Sequence, residues 1–245
     1  MTRTRWIIFV VICVVTLGAL VALSKRDNVN VDSIDASKVI SGTDTAIGDQ
    51  VYGNKDSKIV LFEYGDFQCP GCGGAYAGIK SIKEDYKNQI AFVFRNFPLT
   101  NIHPNALAAA TAAEAAGLQG KYWEMHDMLF ENQNVWSGIE LSKRTDTFIG
   151  YAGSLGIDTD TFKTDLSDPR VSTKINRDRS LGNKLGVSST PTFYLGDERL
   201  SDKEVTDVIQ NNGALLRAKI DAKLKELGIE SPAKADTTKQ TEASE

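Results

Sequence analysis

The stretch Lys58 to Tyr64 (KIVLFEY) is followed closely by Cys69-Pro70-Gly71-Cys72. The first run is short, apolar and rich in β-formers, so it reads as a buried strand. Residues 71–88 then carry Ala75, Ile79, Ile82 and Tyr86 at three- and four-residue steps, the spacing of one helix face. Gln89 to Phe97 (QIAFVFRNF) reads as a second buried strand. Strand, helix and strand in that order imply parallel pairing through a right-handed crossover. A chain built on this unit is an α/β protein.

Beyond Phe97 the pattern turns helical for a long stretch. Pro104 suits the first turn of an Ala-rich helix over 104–116, which Gly117 can terminate. Further helices are expected over 121–131, over 143–155 with Gly156 as cap, and from Asp168-Pro169 to near Gly186. Strand character returns at Thr192 to Leu195, and Gly196-Asp197 turns it towards Glu198 to Leu200. Ser201 and Glu204 form a capping box that opens a last helix to about Leu227, with Gly228 at its end. The expected order is βαβ, a block of helices, then ββα.

Trp6 to Leu23 is a run of 18 uncharged residues. As a helix it is about 27 Å long, close to the thickness of a bilayer's hydrocarbon core. Arg3 and Arg5 precede it, which directs the short N-terminus to the cytoplasm and the body outside. Lys25 and Arg26 follow it and weaken that asymmetry. Three readings compete: an uncleaved anchor, a signal segment cleaved near Ala22-Leu23-Ser24, and a buried core helix. The first two both place the body outside the cytoplasm. Residues 25–50 are polar, without periodicity, and read as a tether. The end from about Ser231 has no large apolar residue and reads as disordered.

Residues 1–26 hold four basic residues and no acid, which leaves 24 basic and 32 acidic residues, or −8, on the rest. Such a body is a poor ligand for nucleic acid or anionic lipid. Three cysteines are too few for a disulfide scaffold. Cys13 lies within the apolar run, where it serves as a small apolar residue.

Cys69 and Cys72 stand where thiol–disulfide chemistry needs them. A cysteine at a helix N-terminus meets unpaired backbone N–H groups and the positive dipole end, which favour its thiolate. A second cysteine three positions on lies one turn inward and can close a small ring. Pro70 costs little there, because a first-turn N–H has no helical partner. Zinc binding, an inert structural disulfide and a cysteine-protease nucleophile are the alternatives. Zinc wants four ligands, and His103, His126 and Cys13 are not at zinc-finger spacing. A disulfide across so short a loop constrains little chain entropy. A protease nucleophile has no need of Cys72. Glu63 stands in an apolar strand, where a carboxylate is costly. It is either a strand-end acid that reaches water or a Lys, or a desolvated acid of raised pKa beside Cys72. No metal site and no cofactor motif is expected.

The segments Glu63-Tyr64-Gly65-Asp66-Phe67-Gln68-Cys69-Pro70-Gly71-Cys72, Arg95-Asn96-Phe97-Pro98-Leu99, His103-Pro104, Gly120-Lys121-Tyr122-Trp123 and Gly186 to Phe193 (GVSSTPTF) together resemble the DsbA-like thiol:disulfide oxidoreductases of the thioredoxin superfamily. The resemblance covers roughly residues 50–228. It implies a thioredoxin fold with a helical insertion. The domain plan becomes a cytoplasmic N-terminus over 1–5, an anchor or signal over 6–23, a flexible linker over 24–50, a thioredoxin-like domain over 51–102 and 186–228, an insertion over 103–185, and a disordered tail over 229–245. The resemblance also implies that Cys69 is the exposed nucleophile and Cys72 the buried resolving partner. Pro191 would be a cis-proline facing the pair, and Thr190 would offer backbone hydrogen bonds to an extended substrate. The family carries an acid six residues before the first cysteine, and Glu63 fits that position. Gly71 departs from the best-known member, where a histidine stabilises the thiolate; this puts the direction of the reaction in doubt. His103 and His126 fall in the helical block and read as capping or packing residues.

The function expected on this basis is oxidation of cysteines in exported proteins through a Cys69–Cys72 redox disulfide. A membrane partner, DsbB-like or VKOR-like, would reoxidise the pair. The rivals are a reductase or isomerase of the same fold and a non-enzymatic peptide-binding chaperone.

Overall fold

The computed structural model describes residues 3–24 and 29–232. Helix α1 (Arg3–Ser24) precedes the body, and its side chains from Trp6 to Leu17 are exposed. Side chains on this helix are described as far as Gly18, and among the described residues no helix is long and apolar enough to cross a membrane. The short run β1 (Val51–Gly53) is followed by β2 (Val60–Gly65), α2 (Pro70–Asp85) and β3 (Ala91–Asn96). Six helices intervene before the next strand: α3 (Ala106–Leu118), α4 (Tyr122–Glu131), α5 (Gln133–Trp136), α6 (Arg144–Ser154), α7 (Thr159–Asp165) and α8 (Pro169–Lys184). The chain ends with β4 (Thr192–Leu195), β5 (Glu198–Arg199), α9 (Asp202–Gln210) and α10 (Ala214–Glu226).

The sheet is mixed, in the order β1-β3-β2-β4-β5. β2 and β3 run parallel, as the intervening helix requires, and every other pair is antiparallel. Both central strands are buried along their whole length, so they read as continuous apolar runs and not as alternation. Ile59, Leu61, Phe92 and Phe94 face the core shared with α2, the helical block and α10. Val60, Phe62, Tyr64 and Val93 face the other side, with Leu181 of α8.

Several expectations need correction. Gly117 does not end α3, which runs on to Leu118; Gly120, at φ 72°, is the left-handed residue past its end. The last helix is two. Asn212 and Gly213 both take positive φ, which breaks it between Gln210 and Ala214. Strand β1 and the short helices α5 and α7 carry too few residues to show a period.

The largest correction concerns the linker. Residues 29–50 are laid along the second face of the sheet as an irregular strap. Val31 and Ala36 are buried there, with Ile34, Val39 and Ile40 packed beside them. A segment that is neither helix nor strand must place its carbonyls on partners elsewhere, and long cationic side chains of the body supply them. Lys184 donates to the carbonyls of Val31, Asp32 and Ile34 at 3.0–3.1 Å. Arg95, wholly buried, donates to Ala36 and Lys38, and Arg177 to Ile47. Asp49 completes the hold: its side chain is 2.8 Å from Arg95 and 3.5 Å from Lys174, and both cations keep its carboxyl below its ordinary range although burial pushes it up. Residues 25–28 and the tail from 233 lie outside the described residues.

Replacing Arg95 with Met leaves Asp49 buried with one cation fewer and frees two strap carbonyls. The expected loss is about 3–5 kcal/mol, read from urea unfolding, with hydrogen-exchange protection lost first over residues 31–40. Unchanged protection there would show that the strap is held by packing alone.

Candidate functional site

β2 ends at Gly65, and Asp66 to Gln68 turn the chain into α2. Cys69 is the N-cap of that helix, in extended conformation, and Pro70 takes the first turn. Cys72 lies one turn in and is completely buried; Cys69, expected to be exposed, is buried too and keeps only 8% of its surface, because the cis-proline segment packs over it. Both are free thiols. The Thr190–Pro191 peptide is cis, and the Thr190 carbonyl accepts from the Cys69 thiol at 3.3 Å. A Cβ on Gly71 would stand 3.2 Å from Pro191 Cδ, so a glycine at this position lets the two segments approach. Beside them lies an open cleft of about 330 Å³, walled by Gly71, Thr190, Pro191, Leu200, Val205 and Ile209.

The two sulfurs have opposite acidities. The Cys69 thiol is lowered to about 5, chiefly by the hydrogen bond from Cys72, then by the N–H groups of Cys72 and Gly71; burial works against this. The Cys72 thiol is pushed well up, first by burial and then by its bond to Cys69 and the nearby Glu63. Negative charge therefore settles on the outer sulfur.

Glu63 sits in mid-β2, opposite Phe94 and Phe193 of the neighbouring strands. It shares a strand face with Ile59 and Leu61, the face that meets Cys72. Burial pushes its carboxyl up to about 8; Lys83 opposes the rise and Cys69 adds to it. Lys83 is buried as well, bonded to Asp127 at 2.9 Å, with the rings of Tyr52 and Trp123 each 4.8 Å from its ammonium. The structure thus brings Glu63, Cys69, Cys72, Thr190 and Pro191 together.

No pattern in the sequence marks the polar clamp around the cysteine loop. Gln133 of α5 donates to the carbonyls of Phe67 and Cys69 at 2.7 and 2.9 Å. A Cβ on Gly73 would fall 2.2 Å from the Gln133 carboxamide, so a side chain there would dislodge the clamp. Gln68 accepts from the Asn105 N–H and donates to the Ser137 carbonyl, both at 2.7 Å. Asp66 takes the N–H of Gln68 and of Leu99 and bonds His103. His103 is therefore part of this clamp and not a helix cap. His126, read as packing, is buried in an aromatic cluster with Phe67, Phe94 and Phe130, and burial lowers its ring to about 4. Among the described residues no group of three His, Cys, Asp or Glu side chains is placed to hold a metal ion.

A mixed sheet with a dithiol at the N-terminus of its first crossover helix, facing a cis-proline, is a thioredoxin-like α/β arrangement. The thioredoxin family model matches residues 45–211, and the chain belongs to that family. Its structural neighbours are thiol–disulfide oxidoreductases of the DsbA type. The thiol-disulfide exchange protein α-DsbA2 of Wolbachia pipientis is 25% identical with a TM-score of 0.57, over 71% of this chain and 86% of that one. BdbD of Bacillus subtilis, at 24% identity and a TM-score of 0.61, agrees in fold over 77% of this chain and 99% of that one. In sequence, a protein of Salinispora arenicola named Na(+)/H(+) antiporter NhaA 1 is 42% identical over 151 residues, 62% of this chain and 22% of that protein. The chain thus spans about a fifth of the length of the curated relatives it matches.

Two outcomes test the electrostatics. The alkylation rate of Cys69 in the reduced protein should rise with a midpoint near pH 5 and reach a plateau by neutrality; a midpoint near 8.5, that of an ordinary thiol, contradicts the geometry. Glu63 holds a proton in the folded state up to about pH 8 that the unfolded chain releases near 4.5. Its contribution therefore falls as pH rises between those values. Glu63→Gln should remove a decline on the order of 3–5 kcal/mol, measured as the difference in unfolding free energy between wild type and variant across that window.

Proposed function

We propose that the chain is a membrane-anchored thiol:disulfide oxidoreductase, acting on the extracytoplasmic side as an oxidase of cysteines in exported proteins. The fold supports thiol–disulfide exchange, and the observation that carries the reading further is the opposed acidity of the two thiols. A thiolate held on Cys69 at neutral pH stabilises the reduced pair, and a protein whose reduced form is stabilised is an oxidant. Backbone N–H groups and the Cys72 thiol supply this stabilisation although Gly71 has no side chain to offer.

In the proposed reaction a substrate thiolate attacks Cys69 Sγ of the Cys69–Cys72 disulfide. The S–S bond breaks, its electron pair leaves with Cys72 Sγ, and a substrate–Cys69 disulfide forms. Cys72 then takes up a proton, for which Glu63, kept protonated by its raised pKa, is the proposed donor. A second substrate thiolate attacks the mixed disulfide and Cys69 leaves as the thiolate. Thr190 and the cleft beside Pro191 receive the substrate as an added strand. The redox-active disulfide is the sole redox group required, so reoxidation falls to a membrane electron acceptor of DsbB-like or VKOR-like chemistry.

The anchor rests on the apolar run of α1 and its flanking Arg3 and Arg5. Likeness to one fifth of a protein named for sodium–proton antiport fits a unit that works at a membrane. Antiport itself is not proposed for this chain.

The full chain in detergent should equilibrate with glutathione at a potential nearer ~−120 than ~−270 mV. A value near the lower figure reverses the direction to reductase or isomerase. Cys69→Ala should abolish disulfide formation in a reduced substrate; retained catalysis would reduce the chain to a binding module. Cys72→Ser should trap mixed disulfides through Cys69, and trapping through Cys72 in a Cys69→Ser protein instead would overturn the assigned roles.

A further inference from the structure

Asp66 reaches both cysteines without being next to either. Its backbone N–H donates to Cys72 Sγ at 3.4 Å, and its carbonyl accepts from the Cys69 N–H at 3.0 Å. Its side chain is completely buried. One carboxylate oxygen accepts from the Gln68 N–H at 2.7 Å. The other accepts from the Leu99 N–H at 2.8 Å and lies 2.7 Å from His103 Nδ1. A carboxylate oxygen accepts, so His103 donates from Nδ1. The imidazole side chain is 15% exposed, at the edge of the helical block.

We infer that His103 is a positioning residue for the leaving sulfur: through the Asp66 carboxylate it steadies, from the side opposite the sheet, the Asp66 N–H that receives charge on Cys72. The inference rests on the exchange reaction proposed above. When the Cys69–Cys72 bond breaks, the electron pair lands on a sulfur that burial makes a poor anion. The Asp66 amide is already aimed at it, and an N–H held in place before reaction costs nothing to reorient at that moment. The peptide plane that carries the Asp66 N–H is held on one side, where its Gly65 carbonyl accepts from the Phe97 N–H at 2.8 Å. The Asp66 side chain adds a second restraint on the other side by bonding across to Leu99 and His103. Leu99 contributes a backbone donor that no substitution but proline removes; His103 contributes the donor that a side-chain change can delete. The nucleophile Cys69 is stabilised by other groups, namely Cys72 and the helix N–H groups. Loss of the His103 bond should therefore slow the departure of Cys72 and leave Cys69 itself unchanged.

Three variants in the full chain separate these effects. His103→Ala should slow the reduction of the oxidised protein by dithiothreitol, in which Cys72 is the leaving group, about 10-fold, the scale of one weakened hydrogen bond to an anion. The alkylation of Cys69 in the reduced protein should stay within about twofold, since no bond to Cys72 breaks in that step. His103→Asn places a carboxamide nitrogen near the former Nδ1 and should restore most of the reduction rate. Should His103→Ala not fold, His103→Gln keeps bulk and polarity but carries its amide where Nε2 stood, and it should show the same selective loss. An unchanged reduction rate, an equal fall in both rates, or failure of Asn to rescue would each overturn the inference. A wild-type chain that forms no reducible Cys69–Cys72 disulfide would instead sink the proposed function, a result distinct from any of these.

Discussion

The molecule turns on the unequal burial of two sulfurs one helical turn apart. If both were free in water, the pair would be two ordinary thiols; if both were as fully enclosed as Cys72, neither would ionise. Cys69 at the mouth of α2 receives the Cys72 hydrogen bond and the helix N–H groups, while Cys72 is enclosed by the core with Glu63 nearby. The same burial that denies charge to Cys72 also keeps a proton on Glu63. Desolvation, usually a cost, is here the agent that sorts charge and proton between neighbouring groups.

Such sorting demands a loop that does not move. Residues 66–69 have no strand to pair with, and their polar groups are met from outside the loop: the Gln133 side chain on two carbonyls, the Asn105 N–H and the Ser137 carbonyl on Gln68, the Leu99 N–H and the His103 ring on Asp66. The block is thus more than a cover for the sheet. Its polar inner edge replaces the hydrogen bonds that a regular element would have supplied.

How much of this could be read from the chain depends on the range of each interaction. β2, α2, β3 and the β4–β5 hairpin were legible, because local periodicity and a turn dipeptide encode them. Cys69 and Cys72 stood out by spacing, and Glu63 by being a charge in an apolar strand. Pro191 and Thr190 were readable through family likeness alone, since nothing local ties residue 191 to residue 69. The clamp was not legible: Gln68, Asn105 and Gln133 are ordinary polar residues whose partners lie some 30 to 70 positions away. The strap misled for a related reason. Val31, Ile34 and Ala36 show no period because the segment is irregular, and the cations that hold it, Arg95, Arg177 and Lys184, belong to distant elements. An aperiodic polar stretch looks the same whether it is free or pinned from outside.

The strap also fixes a length. From Ser24, where α1 ends, to Val29, the chain can cover at most about 17 Å, whereas a free chain from Ser24 to Val51 could extend about 90 Å. Pinning residues 29–50 thus trades reach for bearing. The distance at which the body can stand from α1 is bounded by this tie, and the point from which it is counted lies where Val31 and Lys184 meet. Cutting the strap's contacts would lengthen that span several-fold without adding a residue.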